Sequence, residues 1–254
     1  MTTFKITLEY DGTRYSGWQI QKNARTVMGE IRKAALQVFD GEIDIQGAGR
    51  TDAGVHALGQ VMHIKVSSAT RQAAPDVIKR RLNDLLPADI AILNVERARR
   101  TFHARHDARE RVYLYQISRR KQAFIKRHVW WVKEQLDIEQ MSEAASMLVG
   151  RHDFVCFRAS DPTHPGESTI VEINGAAVET DQDIIQFRIA GSHFLWRMVR
   201  RIVGALVKVG KHEITTEDFR QLLDGRCAEK LDVAGWTAPA SGLFLEEIRY
   251  NNGV

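Results

Sequence analysis

The chain has 254 residues, enough for one domain or two small ones, each able to bury a substantial core. Its 44% apolar and 27% charged content excludes a disordered or fibrous chain, and a net charge of +4 is small enough for solubility alone to explain. No apolar run reaches membrane-spanning length, since Lys208 interrupts the best candidate at 202–210, and charged residues in MTTFKITLEYDG stand where a signal peptide needs its apolar core.

The first half reads as strand, helix, strand, strand, helix, strand. Phe4, Ile6, Leu8 and Tyr10 alternate as a strand that ends at the turn Asp11-Gly12. Thr26 is placed to cap a helix with Val27, Ile31, Ala34 and Val38 on one face. Ile43 and Ile45 alternate in a short strand, and Met62, Ile64 and Val66 in a second one. Pro75 opens a helix carrying Ile78, Leu82 and Leu85, which Pro87 stops, and a strand from Ile90 to Arg97 closes the half.

The second half repeats the order. Arg111–Ser118 alternates as a strand, and Asp137 with Gln140 resembles a capping box for a helix presenting Ile138, Met141, Ala145 and Leu148, ended by Gly150. Strands follow near Ile170–Val178 and Ile184–Ile189, then a helix from Phe194 with Met198, Ile202 and Leu206. A shorter helix with Phe219, Leu222 and Leu223 ends at Gly225, and Leu243–Tyr250 is the last strand. Each half thus has the βαββαβ order of a ferredoxin-like unit, giving an α+β fold with residues 1–104 and 105–254 as its halves. Two such units can set their sheets side by side with a cleft between them. The stretch 158–168, with Pro162, Pro165 and Gly166, reads as an exposed loop bordering that cleft.

Cys156 and Cys227 lie far apart and show neither metal nor redox spacing, which fits a reduced, cytoplasmic compartment. Positive charge is unevenly spread: Arg97–Arg127 holds eleven Lys or Arg against two acids, Asp107 and Glu110. Phe102, Tyr113, Tyr115 and Phe124 interleave with these cations. Clustered cations with aromatics suit a nucleic acid, whose phosphates attract the charge and whose unstacked bases stack on rings. A solvated strand face with its aromatics turned into the core has the same pattern.

The most informative segment is Gly47-Ala48-Gly49-Arg50-Thr51-Asp52-Ala53-Gly54-Val55-His56-Ala57. It presents one carboxylate, Asp52, among glycines that let a bulky ligand approach the backbone. It lacks the third glycine of a dinucleotide fingerprint and the Gly-Lys-Ser/Thr ending of a P-loop, and it joins two strands rather than opening a helix.

The string GAGRTDAGVHALGQV resembles the active-site signature of the bacterial tRNA pseudouridine synthases of the TruA family. Further matches lie in order along the chain: YDGTRYSGWQIQ, FHAR, RVYLY, FLWRMVRRIVG and TAPASGLFL. One departure is Met28 in RTVMGEI, where the family more usually has Gln. The resemblance implies the pseudouridine synthase fold with a central cleft, an active homodimer, and isomerisation of uridine at positions 38, 39 and 40 of the tRNA anticodon stem-loop. That reaction moves the uracil attachment from N1 to C5 without gaining or losing an atom, so its stoichiometry requires no cofactor and no metal.

By the same resemblance Asp52 is the catalytic carboxylate and Arg200, in FLWRMVRR, its cationic partner. A guanidinium stays protonated and can hold a carboxylate through two hydrogen bonds. Periodicity leaves Arg197, Arg200 and Arg201 equally readable as the wet face of a helix. Tyr113 corresponds to the tyrosine that packs on the target base, a choice over Tyr115 that the resemblance alone makes, and Leu243 to an apolar residue lining the uracil pocket. A stacked uridine must leave the helix to be reached. Arg50 is placed to fill or hold open the vacated space, with Arg105 and Arg14 as candidates for neighbouring phosphates.

Three rival readings are weaker. The strand Gln60–Val66 lacks the aromatic-rich pattern of a base-stacking RNA-binding module. His103-x-x-His106-Asp107, with His56 and His63, suggests a metal-dependent hydrolase, but adjoins strands and basic residues. A glycosidase needs a second carboxylate beside Asp52 that the segment does not supply.

Overall fold

A computed structural model describes residues 2–39, 41–67, 74–160, 166 and 168–251. In chain order the elements are β1 (Thr2–Tyr10), α1 (Val27–Val38), β2 (Ile43–Gly47), β3 (His56–Val66), α2 (Pro75–Leu85), β4 (Ile90–Ala98) and β5 (Ala108–Ser118). Then come β6 (Trp130–Trp131), α3 (Ile138–Ser146), β7 (Gly150–Asp153), β8 (Ile170–Asp181), β9 (Ile184–Gly191), α4 (Met198–Gly210), α5 (Thr216–Leu223) and β10 (Leu243–Tyr250). Of the loop expected over 158–168, residues 161–165 and 167 lie outside the described residues. No helix among the described residues is long and apolar enough to cross a membrane.

The chain divides into two compact units, Met1–Arg109 with Phe244–Val254, and Glu110–Leu243. This line differs from the consecutive halves 1–104 and 105–254. The last strand is the reason: Phe244 and Leu245 of β10 pair in parallel with His56 and Ala57 of β3. Sequence order alone cannot reveal such a return of the chain.

In the first unit β1 is antiparallel to both β3 and β4, and β2 is antiparallel to β3, giving the order β4-β1-β3-β2. That is the strand order of a ferredoxin-like unit. β2 pairs with the Met62–Val66 end of β3, which leaves the His56 end to β10. Phe4, Ile6 and Leu8 of β1 are buried with Ile31 of α1 and Ile78 and Leu82 of α2. The Thr26 side chain accepts from the Gly29 N–H, as its place before α1 predicts.

The second unit carries β5-β9-β8-β7, antiparallel between β5 and β9, β9 and β8, and β8 and β7, with β6 parallel to β5. The Asp137 carboxylate accepts from the Gln140 N–H and starts α3. That helix stops at Ser146, and Gly150, with φ of +117°, opens β7 instead of closing the helix. Helix α4 begins at Met198, four residues later than expected, because Arg197 at its N-cap has a left-handed φ of +60° that interrupts the helical path. Cys156 and Cys227, expected as separate reduced thiols, are joined in a disulfide with Cα atoms 5.3 Å apart. Their 71-residue separation concealed the pairing.

Candidate active site

Asp52 sits on the connection from β2 to β3, and the earlier motif YDGTRYSGW fixes that connection from one side. Trp18 N–H donates to the Thr51 carbonyl at 3.0 Å, Gly54 N–H to the Tyr15 carbonyl at 3.3 Å, and Gly12 N–H to His56 Nδ1 at 3.1 Å. The Tyr10 and Thr51 hydroxyls share a 2.8 Å hydrogen bond. From below, Val55 N–H closes a turn on the Asp52 carbonyl at 3.1 Å, and Gln60 Nε2 donates to the Gly49 carbonyl at 3.0 Å. Asp52 is thereby held at both flanks while its side chain stays half-buried.

This packing explains two glycines outside the signature. A Cβ on Gly12 would lie 1.9 Å from the Val55 carbonyl oxygen, and one on Gly17 would lie 2.6 Å from that of Thr51. Gly17 also has φ of +94°, so close approach and backbone conformation both require glycine there. Inside the signature the glycines differ in role. The Gly47 Cα faces the buried Trp18 indole, whereas a Cβ on Gly49 would meet nothing within 4 Å. Only Gly49 of that pair leaves room for a ligand.

In the second unit Arg200 lies in the first turn of α4, half-buried. Its Nε donates to the Ala238 carbonyl at 2.7 Å, and Ala238 N–H donates to the Arg200 carbonyl at 3.0 Å. FLWRMVRRIVG and TAPASGLFL are thus clipped together at this residue. Arg197 and Arg201 behave differently, so the three arginines are not one wet face. Arg197 is exposed and lies over the Trp196 ring at 5.0 Å, while Arg201 donates to the Arg158 carbonyl and burial pushes its guanidinium pKa down.

The two tyrosines of RVYLY also part company. Tyr115 is 0% exposed, donates its hydroxyl to the Pro239 carbonyl at 2.8 Å, and has its pKa raised by burial. Tyr113 is buried too, but its ring meets Phe194 edge-on at 5.0 Å. Leu243 is buried at the start of β10. Asp52, Arg50, Arg14 and Arg105 therefore belong to the first unit, and Tyr113, Arg200 and Leu243 to the second. Arg14 and Arg50 are exposed, the former at the end of a single 3-10 turn, Gly12–Arg14, that packs on the Asp52 connection.

A family model described as tRNA pseudouridine synthase matches residues 6–107 and 144–251. The chain belongs to the tRNA pseudouridine synthase family. It is 39% identical over 252 residues to tRNA pseudouridine synthase A of Acetivibrio thermocellus, covering 98% of this chain and 100% of that relative. The protein of the same name from Thermodesulfovibrio yellowstonii is 36% identical over 260 residues, covering 98% and 100%. The α+β architecture fits the pseudouridine synthase fold, and the resemblance read from the motifs is borne out.

Against that family background, the motif residues without an assigned role can be placed. Tyr15, in the YDGTRYSGW motif, is buried, donates its hydroxyl to Asp89, and has Arg25 over its ring at 4.7 Å. Burial and the Asp89 carboxylate raise its pKa far above the usual range, so it stays a neutral donor. Its carbonyl then holds Gly54, two residues past Asp52. Tyr15 and Trp18 stand close together in the short motif YDGTRYSGW, a density of aromatics that is a signal in the sequence, whereas Thr51 lies next to Asp52 in the signature itself. Met28, the departure from the family pattern, donates its N–H to the Trp18 carbonyl at 3.0 Å, a backbone bond that any non-proline residue supplies.

The FHAR stretch forms a turn built on histidine acceptors. His63 Nδ1 accepts from Ala104 N–H at 3.0 Å, and His103 Nδ1 from the N–H groups of Arg105 and His106 at 3.2 and 3.3 Å. The His103/His106 spacing that suggested a metal site is thus that of a side chain capping its own turn. Arg105 is exposed on this turn. Of the four aromatics interleaved with the basic stretch, Phe102, Tyr113 and Tyr115 are buried, and Phe124 is 99% exposed.

Proposed function

We propose that the chain isomerises uridine to pseudouridine at positions 38, 39 and 40 of the tRNA anticodon stem-loop, with Asp52 as the catalytic group. The observation that carries this reading is the Asp52 connection itself, gripped by Trp18, Tyr15 and Gly12 so that a single carboxylate is presented beside open space at Gly49. The names of the relatives support tRNA as substrate.

The N1–C1′ bond breaks, the uracil turns, and a C5–C1′ bond forms, C5 giving up its proton and N1 taking one up, so that the product is an isomer of the substrate. Asp52 serves this sequence as a nucleophile or base. A preset backbone limits the reorganisation that the carboxylate needs on reaction. Arg200, in the FLWRMVRR stretch, is the cationic partner of that carboxylate. Tyr113 packs on the base, Leu243 lines the uracil pocket, Arg50 holds the space left by the flipped uridine, and Arg105 and Arg14 meet phosphates. The protein acts as a homodimer in the cytoplasm, where tRNA is its partner.

Mapping pseudouridine in tRNA incubated with the purified protein tests the reaction. Asp52→Asn keeps the shape of the side chain but removes its nucleophilicity, and is expected to abolish tritium release from C5-labelled tRNA while gel-shift affinity persists. Turnover within a few-fold of wild type would remove Asp52 from the chemistry.

A further inference from the structure

Among the described residues, 119–133 form the most strongly basic exposed stretch, and none of the candidate site residues lies in it. The sequence RRKQAFIKRHVWWVK contains six Lys or Arg and no acid. It leaves β5 at Ser118 and returns through β6, with Ile117 paired to Trp130 and Ser118 to Trp131. Both ends are tied down. Val132 N–H donates to the Ser118 carbonyl at 3.1 Å, Ser118 Oγ to the Arg120 carbonyl at 2.7 Å, and Ser241 Oγ to the buried Val129 at 3.3 Å. His128 N–H closes a turn on the Ile125 carbonyl at 2.8 Å.

A loop so anchored still presents Phe124 at 99% exposure, with Ile125 and Trp131 also exposed and Lys133 over the Trp131 ring at 5.3 Å. Asp183 takes up Arg120 through a 2.6 Å ion pair. Lys121 and Lys126, three residues before and two after Phe124, are exposed and have no acidic partner among the described residues. Phe124 finds no apolar neighbour to cover it within its own fold, so its ring is held out beside uncompensated charge.

We propose that this loop is a second RNA contact, in which Phe124 stacks on an unpaired base and Lys121 and Lys126 hold the flanking phosphates. The inference rests on the reading of the protein as a tRNA-modifying enzyme. Charge complementarity selects the occupant: a flat exposed ring between uncompensated cations matches a base between its phosphates. Distance along β5 places the contact. Ser118 lies five residues beyond Tyr113 on the same strand, roughly 17 Å away at the strand rise. That span is longer than a single stacked nucleotide. The loop therefore meets RNA outside the nucleotide that Tyr113 receives.

The test measures equilibrium binding of an unmodified tRNA transcript across a salt series. Phe124→Ala is expected to weaken binding about 5- to 150-fold, the range found for losing one aromatic stack, and Phe124→Trp to retain it. Lys121→Gln with Lys126→Gln is expected to flatten the slope of log affinity against log salt by about 1.5, two contacts' worth. Arg220→Gln, removing an exposed cation of the same unit, should bind as wild type. Since Phe124 is solvent-exposed, thermal melts of these variants should overlay. Wild-type affinity in Phe124→Ala, or an equal loss in Arg220→Gln, overturns the inference. So does unchanged tRNA binding in Phe124→Ala accompanied by lost sedimentation with phosphatidylglycerol vesicles, which would make the loop a membrane contact. Failure of the wild type to form pseudouridine would instead overturn the functional reading, whatever the loop variants bind.

Discussion

His63 should make the first unit lose stability as pH falls from 7 to 5, and the structure sets the size of the effect. Its side chain is 0% exposed, and Nδ1 is occupied by the Ala104 N–H. A second proton would have to displace the Ala104 N–H from Nδ1, because Nδ1 accepts and the neutral ring carries its hydrogen on Nε2, which is buried without a hydrogen-bond partner among the described residues. Asp44 Oδ2 stands 3.6 Å away, too far for a good hydrogen bond, and the His103 ring is 4.8 Å from it. Burial, followed by the charges of His103 and Lys65, lowers the His63 pKa from 6.5 to about 4, with Asp44 opposing weakly. The unfolded chain therefore binds a proton through a pH window in which the native protein does not. Stability is fully present above 6.5 and declines as pH drops toward 4. Linkage over that interval amounts to about 2 kcal/mol by pH 5 and about 3 kcal/mol by pH 4. Hydrogen exchange of β1 and β3 peptides, corrected for intrinsic rates, should thus lose about 20-fold in protection between pH 7 and 5. His63→Asn keeps an oxygen near the Nδ1 position to accept from Ala104 but cannot titrate, so it should lose much less. Parallel losses in the two proteins would show that His63 is not the buried neutral group described.

Arg200→Lys should slow single-turnover isomerisation about 10- to 100-fold at saturating enzyme, because lysine cannot hold Ala238 and a carboxylate in one planar fork. A wild-type rate there, with Arg201→Lys crippled, would transfer the role to Arg201. Gly17→Ala should destabilise the first unit by about 2 kcal/mol or more in urea unfolding, since its Cβ would meet the Thr51 carbonyl at a strained φ. Unchanged stability would deny the close approach. Cys227→Ser should cost about 4 kcal/mol on the chain-entropy account of a loop of this length, read by guanidinium unfolding without reductant. Wild type in dithiothreitol should match the variant, and a difference between them would point to packing at Cys227 instead.

Local structure was legible wherever its cause was local. Thr26, Pro75 and Asp137 act through atoms within three or four residues, and the alternation of Phe4, Ile6 and Leu8 reports one covered face. Strand β6 was missed because a two-residue pair of tryptophans has no period to read. In β5, Val112, Tyr113, Leu114 and Tyr115 are all buried, so both faces are covered and alternation carries no information about direction. The same double burial explains why Tyr113 and Tyr115 could be separated only by the hydroxyl partner of Tyr115, a carbonyl 124 residues away.

The candidate site shows the same limit at longer range. Asp52 was conspicuous because its own neighbours are unusual, but what presents it comes from residues 10–18, and nothing in either segment spells out the bonds from Trp18 to Thr51 or from Gly54 to Tyr15. Gly12 and Gly17 look like ordinary turn glycines until their missing Cβ atoms are found facing Val55 and Thr51. The basic stretch was misleading in the opposite way. Its cations and aromatics follow one another in sequence, yet the chain folds Phe102, Tyr113 and Tyr115 inward and leaves only Phe124 of the four exposed. Composition records which groups are present, and the fold decides which of them face a partner. For RNA contact, an exposed ring beside uncompensated lysines is therefore a sharper criterion than the density of arginine along the chain.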